Sequence, residues 1–173
     1  TEDIWFGMDM NVDYMTACLG CSYSDGTIHY FHEIRLSNSN TDEMAREMKK
    51  IAPGITVYPD ATGSARSTTS NRSDHQILRD HGFNVISRKA NPPIIDRLNA
   101  LNRMLLDANG KVRMTIDPSC QHLIKDLEQV QRSRDGKIEK LKDISLSHAL
   151  DACSYYIALR HPVVKRLAVS QQW

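Results

Sequence analysis

Short apolar runs separated by turn residues dominate the first third of the chain. Residues 4–8 form one such run, which ends at Asp9, and residues 14–21 form a second. After a Ser-Asp-Gly turn signal, residues 27–34 alternate between polar and apolar side chains. Because only short connections separate these runs, we predict three antiparallel strands joined as a meander.

Hydrophobic spacing becomes helical at Thr41, which is a candidate N-cap residue. Apolar residues recur at helical intervals over residues 44–51, and a Pro-Gly pair then ends the helix. Residues 55–58 predict a fourth strand, which is followed by Asp60. A strand that follows a helix over this crossover length is expected to lie parallel to one strand of the meander.

The rest of the pattern predicts four helices and a fifth strand. The fifth strand covers residues 83–86, and residues 112–116 are a candidate for a further short strand. The helix that Pro93 opens has an apolar stripe made of Ile94, Leu98, Leu101 and Leu105. The other helices are expected over residues 74–81, from the Asp117-Pro118 pair onward, and over residues 145–159.

Together these elements predict the α/β class, with one domain over residues 1–173. We expect a mixed five-stranded central sheet flanked by helices, in which strands 1–3 are antiparallel and strands 4 and 5 are parallel. The 173 residues are 40% hydrophobic and 25% charged, which suits one globular domain and excludes a disordered chain. No apolar run approaches the ~20 residues that a membrane helix needs. The sequence begins at Thr1 without an initiator Met or a signal region, so we expect a fragment or a processed chain.

The four cysteines give little sign of a metal or redox site. Cys18 and Cys21 have the C-x-x-C spacing of a zinc or redox pair, but no second such pair and no His pair accompanies them. Cys120 and Cys153 are isolated in the sequence. We expect buried, reduced thiols of a cytosolic protein.

The formal net charge of +1 conceals an uneven distribution of charged residues. Residues 1–60 hold 4 basic and 10 acidic side chains, whereas residues 61–114 hold 9 basic and 4 acidic ones. A cation-binding site beside a groove for a polyanion would produce an acidic first third and a basic middle. Ordinary surface scatter would also produce this distribution.

Three acids occupy positions that suit a metal site. Asp9 ends strand 1, Asp60 follows strand 4, and Asp151 lies in a helix among apolar neighbours. Carboxyl ends of adjacent strands converge on one edge of an open sheet, and converging carboxylates repel each other. Mg²⁺ or Mn²⁺, which prefer oxygen ligands, would relieve that repulsion. A pair of such ions can activate a water for phosphodiester hydrolysis. A lone Asp at a strand end is often only a turn residue, but three acids in these positions favour a metal site.

Other polar residues near these acids are candidates for supporting roles. His148 and Tyr155 share a helix face with Asp151. His148 is a candidate to orient a carboxylate, shuttle a proton or touch phosphate, or only to cap the helix. Asp13 is interpreted as a turn acid, and it is also a candidate to hold the metal ligands in place from behind. Glu33, near the end of strand 3, is a candidate for a fourth acid.

Several basic residues of the middle segment are candidates for contacts to the phosphate backbone of DNA. The candidates are Arg66, Arg72, Arg88 and Lys89. Contacts from such residues to phosphate would be independent of base sequence and sensitive to salt. Arg97 and Arg103 flank the apolar stripe of the helix that Pro93 opens, so we expect them at the solvated surface.

Several stretches, spread along nearly the whole chain, resemble one known family. In chain order they are Gly7-Met8-Asp9-Met10-Asn11, Tyr58-Pro59-Asp60-Ala61-Thr62-Gly63-Ser64-Ala65-Arg66, Asn91-Pro92-Pro93, Asp96-Arg97-Leu98-Asn99-Ala100, Leu123-Ile124-Lys125-Asp126-Leu127-Glu128 and Ser147-His148-Ala149-Leu150-Asp151-Ala152. They resemble the C-terminal nuclease domain of tailed-phage terminase large subunits, in the P22-like branch. The resemblance implies a ribonuclease H-like fold with Asp9, Asp60 and Asp151 as its metal-binding catalytic acids.

The resemblance also implies a function. It implies a two-metal endonuclease, dependent on Mg²⁺ or Mn²⁺, that cuts concatemeric double-stranded viral DNA at the start and finish of packaging. The implied partners are the portal ring, the small terminase subunit and the ATPase domain of the full-length protein, in the cytoplasm of the infected host cell. The sequence contains no G-x-x-x-x-G-K-[ST] motif, so we expect this chain to lack the ATPase motor.

The same residues are compatible with two other functions. Another ribonuclease H-like nuclease, such as a junction resolvase or an RNA–DNA hybrid nuclease, would use the acids on a different substrate. A non-catalytic domain that docks DNA or the portal ring would use them for structure alone.

Overall fold

Strands and helices alternate through the computed structural model, which describes residues 3–65, 72–132, 138–139 and 145–163. The strands are β1 (Asp3–Asp9), β2 (Tyr14–Ser22), β3 (Ile28–Ser37), β4 (Thr56–Pro59), β5 (Asn84–Val85), β6 (Met114–Ile116), β7 (Gln131–Arg132) and β8 (Ile138–Glu139). The helices are α1 (Thr41–Ile51), α2 (Asp74–Asp80), α3 (Ile94–Leu105), α4 (Gln121–Gln129) and α5 (His148–Arg160), with a short 3₁₀ turn over Ala61–Ser64. The α/β class predicted from the sequence is confirmed.

The central sheet is mixed, with the strand order β5-β4-β1-β2-β3-β6. Strands β1, β2 and β3 form the predicted antiparallel meander, and β4 and β5 follow in parallel beside β1. The sheet differs from the prediction in having a sixth strand, β6, which pairs in parallel with β3. Three residues are too few to show a clear alternation, so the sequence pattern could not place β6 with confidence in the sheet. Strands β7 and β8 form a separate antiparallel pair.

Alternating side chains of β1 separate two apolar clusters, one on each face of the sheet. Trp5 points to the cluster shared with α3, α4 and α5, where its ring stacks on Tyr156 at a centroid distance of 3.3 Å. Phe6 and Met8 point to the other cluster, which α1 and α2 cover with Met44, Met48 and Leu78. Because both faces are covered, all of β1 from Trp5 to Asp9 and all of β2 except its two end residues are buried.

Helix α5 lies directly on β1 and β2 and is buried on nearly all sides. It approaches β1 so closely that a Cβ atom at Gly7 would overlap the carbonyl oxygen of Ala152. The phenol of Tyr30 donates a hydrogen bond to the carbonyl of Cys153 over 2.9 Å from the same sheet face. Glycine at position 7 therefore permits a contact between backbone and backbone that fixes the height of α5 above the sheet.

Three helices begin at other residues than the sequence predicts. The N-cap of α1 is Asn40 rather than Thr41, because the Asn40 side chain accepts from the Glu43 amide over 3.0 Å. Asp117 does not cap α4; its carboxylate closes a local turn on the Ser119 amide, and α4 begins at Gln121. Helix α5 begins three residues later than predicted, after Ser147, whose φ of 80° is outside the helical range.

Carboxylates from distant elements satisfy the first amides of α4 and α5. Glu33 accepts from the amides of His122 and Leu123, over 2.7 and 3.0 Å. Its candidacy as a fourth acid of the metal site is therefore wrong, because β3 directs it to the start of α4. Asp126 of α4 is buried and in turn accepts from the amides of Ala149 and Leu150, over 2.9 and 3.1 Å. Negative groups at these positions also complement the positive end of the helix dipole.

The four cysteines, Cys18, Cys21, Cys120 and Cys153, are free thiols and all are buried, as predicted. Burial raises the pKa of the Cys18 thiol well above its ordinary value, so this thiol stays protonated. Among the helices of the described ranges, none is long and apolar enough to cross a bilayer.

The Asp126 cap gives a first prediction. Replacing Asp126 with Ala leaves the two amides at the start of α5 buried without an acceptor, which costs about 1–3 kcal/mol per unsatisfied group. For the two amides together, we expect the free energy of unfolding, measured by urea denaturation, to fall by about 2–6 kcal/mol. Glu128→Ala, at an exposed acid on the same helix, should change it by less than about 0.5 kcal/mol. Equal effects of both substitutions would contradict the capping role.

Candidate active site

Two of the predicted acids lie side by side where neighbouring parallel strands end. Asp9 is the last residue of β1, and Asp60 directly follows β4, with Met8 paired opposite Pro59. The Asp60 amide donates to the Met8 carbonyl over 3.0 Å, which extends the strand pairing to the acids themselves. Both carboxylates thus stand at the same edge of the sheet, as the sequence predicts.

The third acid reaches this edge from above the sheet. Asp151 lies in the first turn of α5, next to Ala152, which contacts Gly7 of β1. The charges of Asp9 and Asp60 interact, and so do those of Asp9 and Asp151. The structure brings the three predicted acids together, because His148 and Tyr155, which lie on either side of Asp151 along α5, bond Asp9 and Asp60.

Asp9 is paired with His148. The carboxylate is buried, and its Oδ2 atom lies 2.9 Å from His148 Nδ1. Burial raises the pKa of Asp9 and the nearby charge of Asp60 adds to that rise, while the hydrogen bond from His148 opposes it. Tyr14 packs on the His148 ring at 5.6 Å, and Arg35 lies over Tyr14. Of the roles considered for His148, the geometry fits the one in which it orients a carboxylate.

Asp60 is held by neutral donors. Its Oδ1 accepts from Asn91 Nδ2 over 2.6 Å and from both the amide and the hydroxyl of Thr62, and its Oδ2 accepts from the Tyr155 phenol over 2.9 Å. Partial burial raises the pKa of Asp60, but these hydrogen bonds outweigh burial and leave the pKa below its ordinary value. Burial raises the pKa of Tyr155 far above its usual range, so the phenol keeps the proton that it donates.

Asp151 forms an ion pair with Arg97. Arg97 Nη1 donates to Asp151 Oδ1 over 2.6 Å and to the Ser154 hydroxyl over 2.7 Å. Burial raises the pKa of Asp151 to about 6, and the Arg97 charge limits the rise. Burial lowers the pKa of Arg97, but the neighbouring groups, Asp151 first among them, together raise it by more. The net shift is upward, so the guanidinium stays charged.

The expectation that Arg97 lies at the solvated surface is wrong, because Arg97 is only 6% exposed. The buried face of α3 consists of Arg97, Ala100, Leu101 and Met104, whereas Ile94, assigned to the stripe, is 39% exposed. The predicted apolar stripe lies about one residue away from the face that packs on α5. Arg97 lies three, four and seven residues before buried positions, which is the spacing of one helix face. Arg103 is exposed, as predicted.

The donor set fits a divalent cation, although the acids are not arranged as a finished chelate. Three carboxylates supply hard oxygen ligands of the kind that Mg²⁺ and Mn²⁺ take. Within the described residues, no three side chains of the His, Cys, Asp and Glu types are placed so that they could hold a metal ion. Each acid instead has its own protein partners. His148 bonds Asp9, Asn91 and Tyr155 bond Asp60, and Arg97 bonds Asp151. A cation would therefore compete with partners that already compensate the acids.

Four of the other predicted site residues, Asp13, Arg72, Arg88 and Lys89, are described by the structure. Asp13 is exposed in the turn between β1 and β2, where its amide donates to Asn11 Oδ1. Arg72 pairs with Asp80 of α2 over 2.9 Å. Arg88 and Lys89 are exposed just before Asn91, and Arg88 Nη2 donates to the Ala158 carbonyl of α5 over 2.9 Å. Arg66 lies outside the described residues.

Sequence reasoning did not assign a role to Asn91 or Tyr155. Asn91 binds with both ends of its amide group, because its Oδ1 also accepts from the Ala61 amide over 3.0 Å. The two prolines after Asn91 restrict the backbone, and they were a signal that this segment is held in one position. Tyr155 shares a helix face with Asp151, but nothing in the sequence shows that its hydroxyl reaches a residue 95 positions away.

The fold is similar to that of several solved structures. The structure is similar to the nuclease domain of the P22 large terminase, with a TM-score of 0.69 and 15% identity over 93% of this chain and 83% of that one. It is also similar to the large terminase nuclease of the thermophilic phage G20c with bound magnesium (TM-score 0.60, 13% identity, 91% and 81% covered) and to the SPP1 large terminase nuclease domain with bound Mn (0.55, 19%, 88% and 84%). No protein-family model and no curated protein matches the chain.

The chain has the fold of a phage large-terminase nuclease domain. The resemblance stated from the sequence motifs is thus confirmed at the level of the fold. The assignments of individual site residues remain predictions, which the geometry above makes testable.

Asn91 provides a test of how Asp60 is held. In Asn91→Ala, Asp60 loses one donor, so its pKa should rise toward the ordinary value of 3.8, as measured by carboxyl NMR titration. A carboxylate whose pKa is lowered by folding contributes stability above its unfolded pKa, and this contribution disappears as the pH falls through the folded value. The variant should therefore be less stable than the wild type at pH 7, and the difference should shrink below about pH 4.

Asn102→Ala is the matched control, since Asn102 is exposed on α3. It should change neither the Asp60 titration nor the pH dependence of stability. A stability difference for Asn91→Ala that stays constant between pH 3 and pH 7 would show that Asn91 acts only on the Ala61 backbone.

Proposed function

We propose that this chain is the divalent-metal-dependent endonuclease domain of a phage DNA-packaging terminase, with Asp9, Asp60 and Asp151 as the metal-binding catalytic acids. The observation that carries the proposal is the convergence of these acids from β1, β4 and α5 on one edge of the sheet. Three coupled carboxylates are costly for folding unless they serve a site. The fold supports the proposal, because the P22, SPP1 and G20c domains that share it are all large-terminase nucleases by name.

The proposal includes two Mg²⁺ or Mn²⁺ ions held by the three carboxylates. The SPP1 and G20c domains, which were solved with bound Mn and magnesium, support this choice of metal. When bound, such a pair of ions would activate the attacking water and stabilise the leaving oxygen of a phosphodiester. The protein contributes by holding the carboxylates in fixed orientations at one edge of the sheet.

The partners of the three acids determine that presentation. His148 holds Asp9, and the donors from Asn91, Thr62 and Tyr155 keep Asp60 ionised at neutral pH. Such supporting hydrogen bonds orient metal ligands and influence how tightly they bind. Asp13 is exposed nearby in the β1–β2 turn and stays a candidate support for the ligands.

The DNA path is proposed to pass over the segment between β5 and α3. Arg88 and Lys89 are exposed there, three and two residues before Asn91, which contacts Asp60. Their positive charges would bind the phosphate backbone without reading the bases. Arg66 and Arg72 follow the 3₁₀ turn in the sequence and are included as proposed contacts.

The biological setting of the proposal follows from the terminase likeness. The substrate would be concatemeric double-stranded DNA, cut in the cytoplasm of the infected host cell. The portal ring, the small terminase subunit and the ATPase domain would be the partners. As a nuclease domain of 173 residues, the chain would supply the cleavage step of such a packaging machine.

Charge-removing substitutions at the acids test the proposed site. We expect Asp9→Asn, Asp60→Asn and Asp151→Asn each to reduce nicking of supercoiled plasmid with Mn²⁺ by at least about 100-fold, because each removes a ligand charge. Calorimetric titration with Mn²⁺ should show weaker or lost binding in the same variants. Asp25→Asn is the control, since Asp25 lies in the exposed β2–β3 turn at the opposite end of the sheet.

The outcomes separate the proposal from the two other functions. Plasmid nicking that survives all three substitutions would exclude the site. Preference for a four-way junction or an RNA–DNA hybrid over plasmid, measured side by side, would indicate another type of nuclease. A wild type that neither binds Mn²⁺ nor cuts any substrate would favour a docking domain.

Lys89 tests the proposed DNA path. In Lys89→Ala, loss of one phosphate contact should weaken binding of duplex DNA of any sequence and lower the magnitude of the slope of log K against log salt by about 0.9. Fluorescence anisotropy over a range of salt concentrations in Ca²⁺ measures both quantities. Lys111→Ala, an exposed lysine near β6 at the other sheet edge, should leave the slope unchanged. Equal slopes for both variants would place the DNA elsewhere.

A further inference from the structure

Arg97 is a buried cation inside the group of acids. It is 6% exposed, and its guanidinium lies over the Tyr155 ring with 4.9 Å between its Cζ atom and the ring centroid. Its charge interacts with Asp151, to which it is bonded, and also with Asp9 and Asp60. Arg97 therefore places one positive charge near three carboxylates, as a bound metal ion would.

One nitrogen of Arg97 donates two short hydrogen bonds, whereas another donates none to the described residues. Nη1 bonds both Asp151 Oδ1 and the Ser154 hydroxyl, whereas Nε is buried without a hydrogen-bond partner in the described part of the chain. A buried donor without an acceptor raises the free energy of this arrangement. The ion pair is therefore close, but the guanidinium is not fully satisfied in the position that it takes.

We propose that Arg97 is an internal counter-cation, which neutralises Asp151 in the metal-free protein and competes with a divalent cation for that carboxylate. The inference rests on the proposed function, because it takes Asp151 as a metal ligand. It accounts for a group of acids that is compensated by protein partners and does not form a chelate as it stands. A cation that binds Asp151 must overcome both the hydrogen bond at Oδ1 and the repulsion from the guanidinium.

Competition predicts two effects of opposite sign when the Arg97 charge is removed. The metal-free protein should become less stable, because Asp151 is left mostly buried without its counter-charge. Metal affinity should increase, because the competing charge is gone. A residue that only supports the fold or positions Asp151 would lower both quantities when it is replaced.

The experiment is calorimetric titration of Mn²⁺ into wild type, Arg97→Gln and Arg97→Met, with thermal unfolding measured with and without Mn²⁺. We expect at least about tenfold tighter Mn²⁺ binding in both variants, since a neighbouring like charge typically changes an ionic equilibrium by a factor of ten or more. Thermal unfolding should occur at a lower temperature without metal, and Mn²⁺ should raise the midpoint more than it does in wild type. Arg97→Gln keeps a hydrogen-bond donor for Ser154, so it provides the test if Arg97→Met does not fold.

Two control variants test whether the effect on Mn²⁺ binding is specific to the Arg97–Asp151 pair. Arg103→Met removes the same charge from an exposed position on α3 and should leave Mn²⁺ affinity within about twofold of wild type. In an Asp151→Asn background, Arg97→Gln should tighten binding less than it does with Asp151 present, because the contested carboxylate is gone and only the repulsion from the guanidinium is removed. Binding in Arg97→Gln that is equal to or weaker than wild type overturns the inference and leaves the metal site in place. Failure of every variant to bind Mn²⁺ rejects the metal site itself.

Discussion

The contact between α5 and β1 at Gly7 is the constraint on which the site depends. With no side chain at this position, the backbone of α5 at Ala152 lies against the strand, and any larger residue would overlap it. Asp9 follows Gly7 by two residues, and Asp151 precedes Ala152 by one, so this single approach sets how near the two acids lie. Asp126 fixes the start of the same helix by accepting two of its amides. The site therefore inherits its geometry from backbone packing rather than from flexible side chains.

Convergence of carboxylates creates a problem of charge that the fold solves locally. Each acid is compensated in a different way: Asp9 by an imidazole, Asp60 by neutral donors and Asp151 by a buried guanidinium. Because burial opposes the charged form of all three, these partners decide which acids stay ionised. The opposite shifts of Asp60 and Asp151, one pKa lowered and the other raised to about 6, follow from this difference in partners and burial.

The meander, the crossover to β4 and the placement of Asp9 and Asp60 could be predicted, because they follow from periodicity and from where runs end. Local patterns could not show the partners of the acids, since Asn91 and Tyr155 lie 31 and 95 positions from Asp60. The burial of Arg97 could not be predicted either, because a charged side chain at a helical spacing gives no sign that it faces inward. Glu33 was ambiguous for a related reason, since which face of β3 it occupies depends on strand pairing.

One short segment connects the proposed DNA path to the acids. Between β5 and the first turn of α3, Arg88 holds the Ala158 carbonyl of α5, Asn91 holds Asp60, and Arg97 holds Asp151. These three contacts lie within ten residues and reach both β4 and α5. A displacement of this segment would therefore alter Asp60 and Asp151 together, whereas Asp9, whose hydrogen bond comes from His148, would keep its partner. If DNA binds at Arg88 and Lys89, the elements that receive the substrate are the same ones that hold two of the three carboxylates proposed to be catalytic.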